Sequence, residues 1–139
     1  MLGITDGVAR RSVKSNVDFM DSQPDDFGRA LVAKARKYLS GRLDQKVRLP
    51  EIAVAMGVSS TRLAQTFRIV EGVSLYRYAL RLRLMRALEM LPQYDDLSRL
   101  ALDAGFSNHS HFTTAFRQSF GYAPAVVRSQ MRVRLGDAH

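Results

Sequence analysis

The sequence predicts an all-α fold: two helix-turn-helix subdomains joined by a long linker helix, about seven helices in all. Three observations carry this expectation. Apolar residues recur every three or four positions from Phe27 onward. A helix, a short glycine-containing turn and a second helix are written twice. Between the copies, one stretch from Leu75 to Leu91 places its apolar residues on two nearly opposite sides.

Residues 1–26 mix Gly, Asp, Ser and Pro without periodicity and are expected to form a flexible tail or linker remnant. The first subdomain is expected over 27–72. Its first helix follows from Phe27, Ala30, Leu31, Ala33, Ala35 and Leu39, with Asp25 or Asp26 as cap. Pro50 suits the first turn of a second helix, where its missing N–H does no harm, and Ile52, Ala53 and Met56 carry the apolar face to Gly57. Ser59 or Ser60 can cap a third helix striped by Leu63, Phe67 and Val70, which Gly72 closes.

The linker is expected over 73–92, as a helix stopped by Pro92. Leu75, Tyr78, Leu82 and Met85 form one apolar side; Leu80, Leu84, Ala87 and Leu91 form the other. Both sides then need cover, as in a bridge packed between two small subdomains. Tyr76, Tyr78, Met85 and Met90 are read at this spacing as packing residues and not as the lining of a ligand pocket. The second subdomain, 93–130, restarts the pattern. Asp96 caps a helix through Leu97, Leu100, Ala101 and Ala104 to Gly105. Ser107 or Asn108 caps the next, with Phe112, Phe116 and Phe120 before Gly121, and Pro124 opens a short helix to about Gln130. A tail, 131–139, is expected to fray.

At 139 residues, 46% of them hydrophobic, the chain can bury a core. It carries 21 Lys and Arg against 13 Asp and Glu, a formal charge of +8, and beyond Asp26 the balance is 18 basic to 8 acidic. That excess favours a polyanion, either nucleic acid or an acidic membrane surface. Neither a signal-peptide run nor a bilayer-length apolar segment is present, so no membrane role is expected. No cysteine is present, which removes disulfides, thiolate zinc sites and cysteine nucleophiles and points to a reducing cytoplasm.

The two halves align as an internal repeat. Ala53, Gly57, Ser59, Leu63, Phe67, Arg68 and Gly72 match Ala101, Gly105, Ser107, Phe112, Phe116, Arg117 and Gly121, at an offset of 48 residues before the turn and 49 after it. With Leu63 and Phe67 inward, Thr61, Gln65 and Arg68 point outward, flanked by Arg62 and Ala64. The same construction in the second copy turns Ser110, Thr114 and Arg117 outward, flanked by His111 and Thr113. Hydroxyls, an amide and guanidiniums without carboxylates can donate to base edges and phosphates, and helix N-termini add positive dipole ends. An isolated Arg68 or Arg117 would read as solvated surface charge; its repetition in both copies favours a shared phosphate-contacting role.

Other chemistries fit less well. His109 and His111, two apart on a helix, point about 200° from each other and cannot share one ion. Ser107 or Ser110 with a histidine and Asp103 matches a catalytic triad only in composition, because cap and surface roles account for the serines. No metal, cofactor or enzymatic activity is expected. A helical repeat can also serve as a protein-interaction adaptor that does not read DNA. RNA is a weaker partner, because its deep, narrow A-form major groove excludes a helix.

From Phe27 to about Gln130 the sequence resembles the DNA-binding domain of the AraC/XylS family. The resemblance rests on Leu100-Ala101-Leu102-Asp103-Ala104-Gly105-Phe106-Ser107, then Phe112, Phe116-Arg117, Gly121, Pro124 and Arg128, and on Arg83-Leu84, Ala87 and Leu91 in the linker. Val127 departs from it, standing where an aromatic residue is usual. The resemblance implies a bacterial, cytoplasmic, nucleoid-associated transcription regulator, more an activator than a repressor. Its partners would be double-stranded DNA and RNA polymerase, with two recognition helices entering successive major-groove segments. By position, Thr61, Ala64, Gln65, His109, Ser110, His111 and Thr114 would face bases, and Ser60, Arg62, Arg68, Asn108 and Arg117 would hold phosphates. Family members usually add an effector or dimerisation domain, for which residues 1–26 are too short; the chain is expected either to stand alone or to be part of a larger regulator.

Overall fold

The computed structural model describes residues 25–136; most of the tail expected over 1–26 and residues 137–139 lie outside them. The described residues hold seven α-helices and no strand: α1 Asp26–Ser40, α2 Leu49–Met56, α3 Ser60–Glu71, α4 Leu75–Met90, α5 Leu97–Asp103, α6 His109–Phe120 and α7 Pro124–Gly136. A short 3-10 turn, Leu91–Gln93, holds Pro92 in its first residues, so the proline ends α4 without breaking it. No helix is long and apolar enough to cross a membrane.

The described chain divides into two compact units, one of residues 25–36 and 49–75, the other of residues 37–48 and 76–136. In the first, the Asp25 carboxylate accepts from the Gly28 N–H at 2.6 Å and caps α1. α2 and α3 pack as the helix pair, with Ile52, Ala53, Leu63 and Phe67 buried. Leu63 and Phe67 are fully excluded from water; truncating such a phenylalanine costs about 3–5 kcal/mol. On α1 Leu31, Ala35 and Leu39 are buried as expected, joined by Gly28 and Val32, while Phe27, Ala30 and Ala33 face water, Phe27 at 54% exposure. The expected stripe holds at Leu31, Ala35 and Leu39, and Val32 takes the buried place expected of Ala33.

In the second unit, one side of α4 supplies Leu84 and Ala87, and the turn after it Leu91, to a core completed by Leu100, Ala101, Ala104, Phe106, Phe112, Ala115 and Phe116. Tyr76 and Met85, expected to pack, are instead 51% and 52% exposed; Met85 lies off the side of α4 that meets this core. Val127, where an aromatic residue is usual, is half-buried against the core.

Two long-range attachments shape this unit. Arg83 donates from Nε to the Leu43 carbonyl at 3.0 Å and from Nη2 to the Gln45 carbonyl at 2.5 Å, tying the loop after α1 to α4. Its partial burial pulls the guanidinium below the ordinary arginine range by desolvation. At the other end, α7 runs to Gly136, past the expected end near Gln130. Arg128 donates to the carbonyls of Tyr94 and Asp95, and Arg132 to those of Pro92 and Tyr94 and to the Asp95 carboxylate, so the helix is fastened across the turn before α5.

Candidate nucleic-acid interface

α3 starts where the Ser59 hydroxyl accepts the Arg62 N–H at 3.1 Å, and it ends at Gly72, which is left-handed and donates to the Arg68 carbonyl. With Leu63 and Phe67 buried, Thr61, Arg62, Gln65 and Arg68 are exposed, and Ser60 and Ala64 are half-buried beside them. The Arg62 guanidinium lies 4.9 Å from the centre of the Phe27 ring. Phe27 thus acts as an exposed platform for a cation. Sequence reading missed this role because it counted Phe27 in the apolar stripe of α1. Glu71, the acidic residue of α3, is paired with Arg36 at 2.5 Å, which leaves the outward face positive.

α6 repeats the design. The Asn108 side-chain oxygen accepts the His111 N–H at 2.7 Å, and Gly121 closes the helix, donating to the Arg117 carbonyl. Phe112 and Phe116 are buried, and His109, Ser110, His111, Thr114 and Arg117 are exposed, as is Asn108. Neither histidine swings freely. The His111 ring meets Phe106 edge-on at 5.5 Å, while His109 stacks on Phe112 and sets its Nδ1 3.4 Å from the Ser98 hydroxyl. No acidic residue occurs in α6.

The helix preceding α6 is fixed by local polar contacts. Asp96 caps α5 by accepting from the Ser98 and Arg99 N–H groups. The Tyr94 hydroxyl donates to Asp103 at 2.7 Å, which lowers the Asp103 carboxyl from its ordinary range; Arg99 beside it acts in the same direction. The same bond raises the Tyr94 hydroxyl. Among the described residues, no group of His, Asp and Glu is arranged to hold a metal ion.

Each unit therefore presents the second helix of a helix-turn-helix pair with an outward face of hydroxyl, amide and guanidinium groups, to which the second unit adds two imidazoles. This defines the class: a protein with two helix-turn-helix pairs in one chain. A family model described as a helix-turn-helix domain matches residues 52–130, more than half of the chain. The activator RhaS of Escherichia fergusonii is 32% identical over 92 residues, which are 66% of this chain and 33% of that protein. The regulator ArgR of Pseudomonas aeruginosa is 33% identical over 95 residues, 68% of this chain and 29% of the relative. A crystal structure of a transcriptional regulator with an AraC-type DNA-binding domain, from Chromobacterium violaceum, superposes with a TM-score of 0.69 at 27% identity, covering 76% of this chain and 96% of that one. The chain belongs to the AraC/XylS family, and its described residues carry that family's DNA-binding domain. It spans about a third of the length of the curated relatives it matches.

Proposed function

We propose that the chain binds duplex DNA in a sequence-specific manner and regulates transcription, as an activator, with α3 and α6 each entering a major-groove segment. The observation that carries this reading is the duplicated, exposed and acid-free face on the second helix of each pair. Thr61, Ala64 and Gln65 face bases from the first unit, and His109, Ser110, His111 and Thr114 from the second. Gln65 matches adenine by a paired amide contact, and the Ala64 methyl offers only apolar contact, for instance with thymine. Ser60, Arg62, Arg68, Asn108 and Arg117 hold phosphates. For Asn108 this falls to the side-chain amide N–H, since the oxygen is used in the cap. Activation is taken from the name of the relative RhaS, and it entails RNA polymerase as a second partner. The site of action is the cytoplasm, on the nucleoid.

Selection of binding sites from a random duplex library at fixed salt tests the reading. The wild-type chain enriches a site of two blocks, and a Gln65→Ala/Thr114→Ala double variant loses about 1–3 kcal/mol for each good base contact removed. Binding that responds to salt but not to sequence would overturn it.

A further inference from the structure

We propose that the first half of α4 and the last turns of α6 form a seat for one DNA backbone phosphate, which makes α4 a DNA-contacting element as well as a connector. The inference rests on the DNA-reading function proposed above. A cleft of about 100 Å³ in the second unit is lined by Arg77 and Arg81 of α4 and by Gln118 and Ser119 of α6, over an apolar base that includes Leu84 and Ala115. Leu84 and Ala115 are buried, whereas all four polar side chains are exposed. Every one of the four can donate a hydrogen bond, and no carboxylate lines the cleft.

Arg77 and Arg81 stand one turn apart on α4, and both guanidiniums line the cleft. Arg81 is exposed and has no ion-pair partner among the described residues. A phosphodiester presents the unshared oxygens that a forked guanidinium fits. DNA is favoured over an acidic protein surface because Gln118 lies one turn beyond Thr114 on the same helix. A strand whose base meets Thr114 then passes within reach of the cleft, and such a contact fixes register without reading sequence.

The test compares the wild-type chain, Arg81→Gln and Arg81→Lys on the duplex that the wild type selects. Arg81→Gln should bind every sequence more weakly with base preference unchanged, and its salt slope should fall by about 0.9, so that its deficit shrinks about threefold between about 50 and about 200 mM salt. Arg81→Lys should keep the wild-type slope. A duplex with one phosphate neutralised as methylphosphonate should weaken the wild type at a single position and leave Arg81→Gln unaffected there. An unchanged slope in Arg81→Gln, with the wild type still binding DNA, overturns the phosphate seat alone. The same result together with lost capture of RNA polymerase would assign the cleft to a protein carboxylate, which also overturns it. A wild type that binds no duplex overturns the proposed function and this seat with it.

Discussion

Gly105 lies against the carbonyl of Leu43 so closely that a Cβ on Gly105 would overlap the Leu43 oxygen and press on Arg83 Nε. Its counterpart in the first turn, Gly57, is also left-handed but has nothing within 4 Å of the same position. The two glycines of the repeat thus meet different demands, one conformational and one conformational plus steric.

Gly57→Ala should therefore cost only the left-handed strain, about 1–2 kcal/mol. Gly105→Ala should add a backbone clash and cost about 2–5 kcal/mol in total. Urea unfolding of both variants checks this, and equal losses would show that the loop after α1 does not rest on Gly105 in solution.

Asn108 caps α6, and in the proposed reading it also offers a donor to DNA. Asn108→Ala should lose about 1 kcal/mol of stability with the cap. Asn108→Asp keeps the cap oxygen and should hold its melting temperature, yet it sets a carboxylate toward phosphate and should weaken duplex binding. Thermal unfolding and duplex titration on the same preparations separate the two.

The Tyr94–Asp103 bond makes stability depend on pH in two directions. The Asp103 carboxyl is held below its ordinary range, so its contribution is full above the unfolded carboxylate value and is lost as pH falls through the lowered folded value. Tyr94 is raised, so its contribution is full below the ordinary tyrosine value and is lost as pH rises through the raised one. Tyr94→Phe should then be less stable than wild type at neutral pH, with the difference vanishing in acid below the carboxylate range. A constant gap across that range would refute the assignment.

Arg132 fastens α7 to the turn before α5. Arg132→Met keeps volume but removes donors to two carbonyls and to the Asp95 carboxylate, and with the side chain 40% exposed the loss should be about 1–2 kcal/mol. Ending the chain after Gln130 should cost at least as much, because it also removes Met131 from the core margin. Denaturant midpoints of the two variants decide this.

Much of the fold could be read from periodicity. Leu63 and Phe67 match Phe112 and Phe116 because both pairs anchor the second helix of a turn, and the caps at Ser59, Asp96 and Asn108 lie where short polar residues precede an apolar run. The outward exposure of Gln65 and Thr114 followed from the same spacing. What periodicity could not reveal depends on distant neighbours. Val32 is buried where Ala33 was expected, Met85 and Tyr76 reach water, and α7 outlasts its apolar pattern because Arg132 finds carbonyls about 40 positions earlier in the chain. The cleft holding Arg81 was missed for the same reason, since its walls come from two helices far apart in sequence.

The fit between Leu43 and Gly105 also limits how this protein can exchange parts with its relatives. A hybrid gene joined at a single point after Gly72 would take Leu43 from one parent and both Arg83 and Gly105 from the other. Such a chimera would inherit α3 and α6 complete and still carry a mismatched joint inside its second half. Exchanging the first unit whole while leaving residues 37–48 with the second requires joints after residues 36, 48 and 75, three crossovers in all, whereas point changes on α3 or α6 need none.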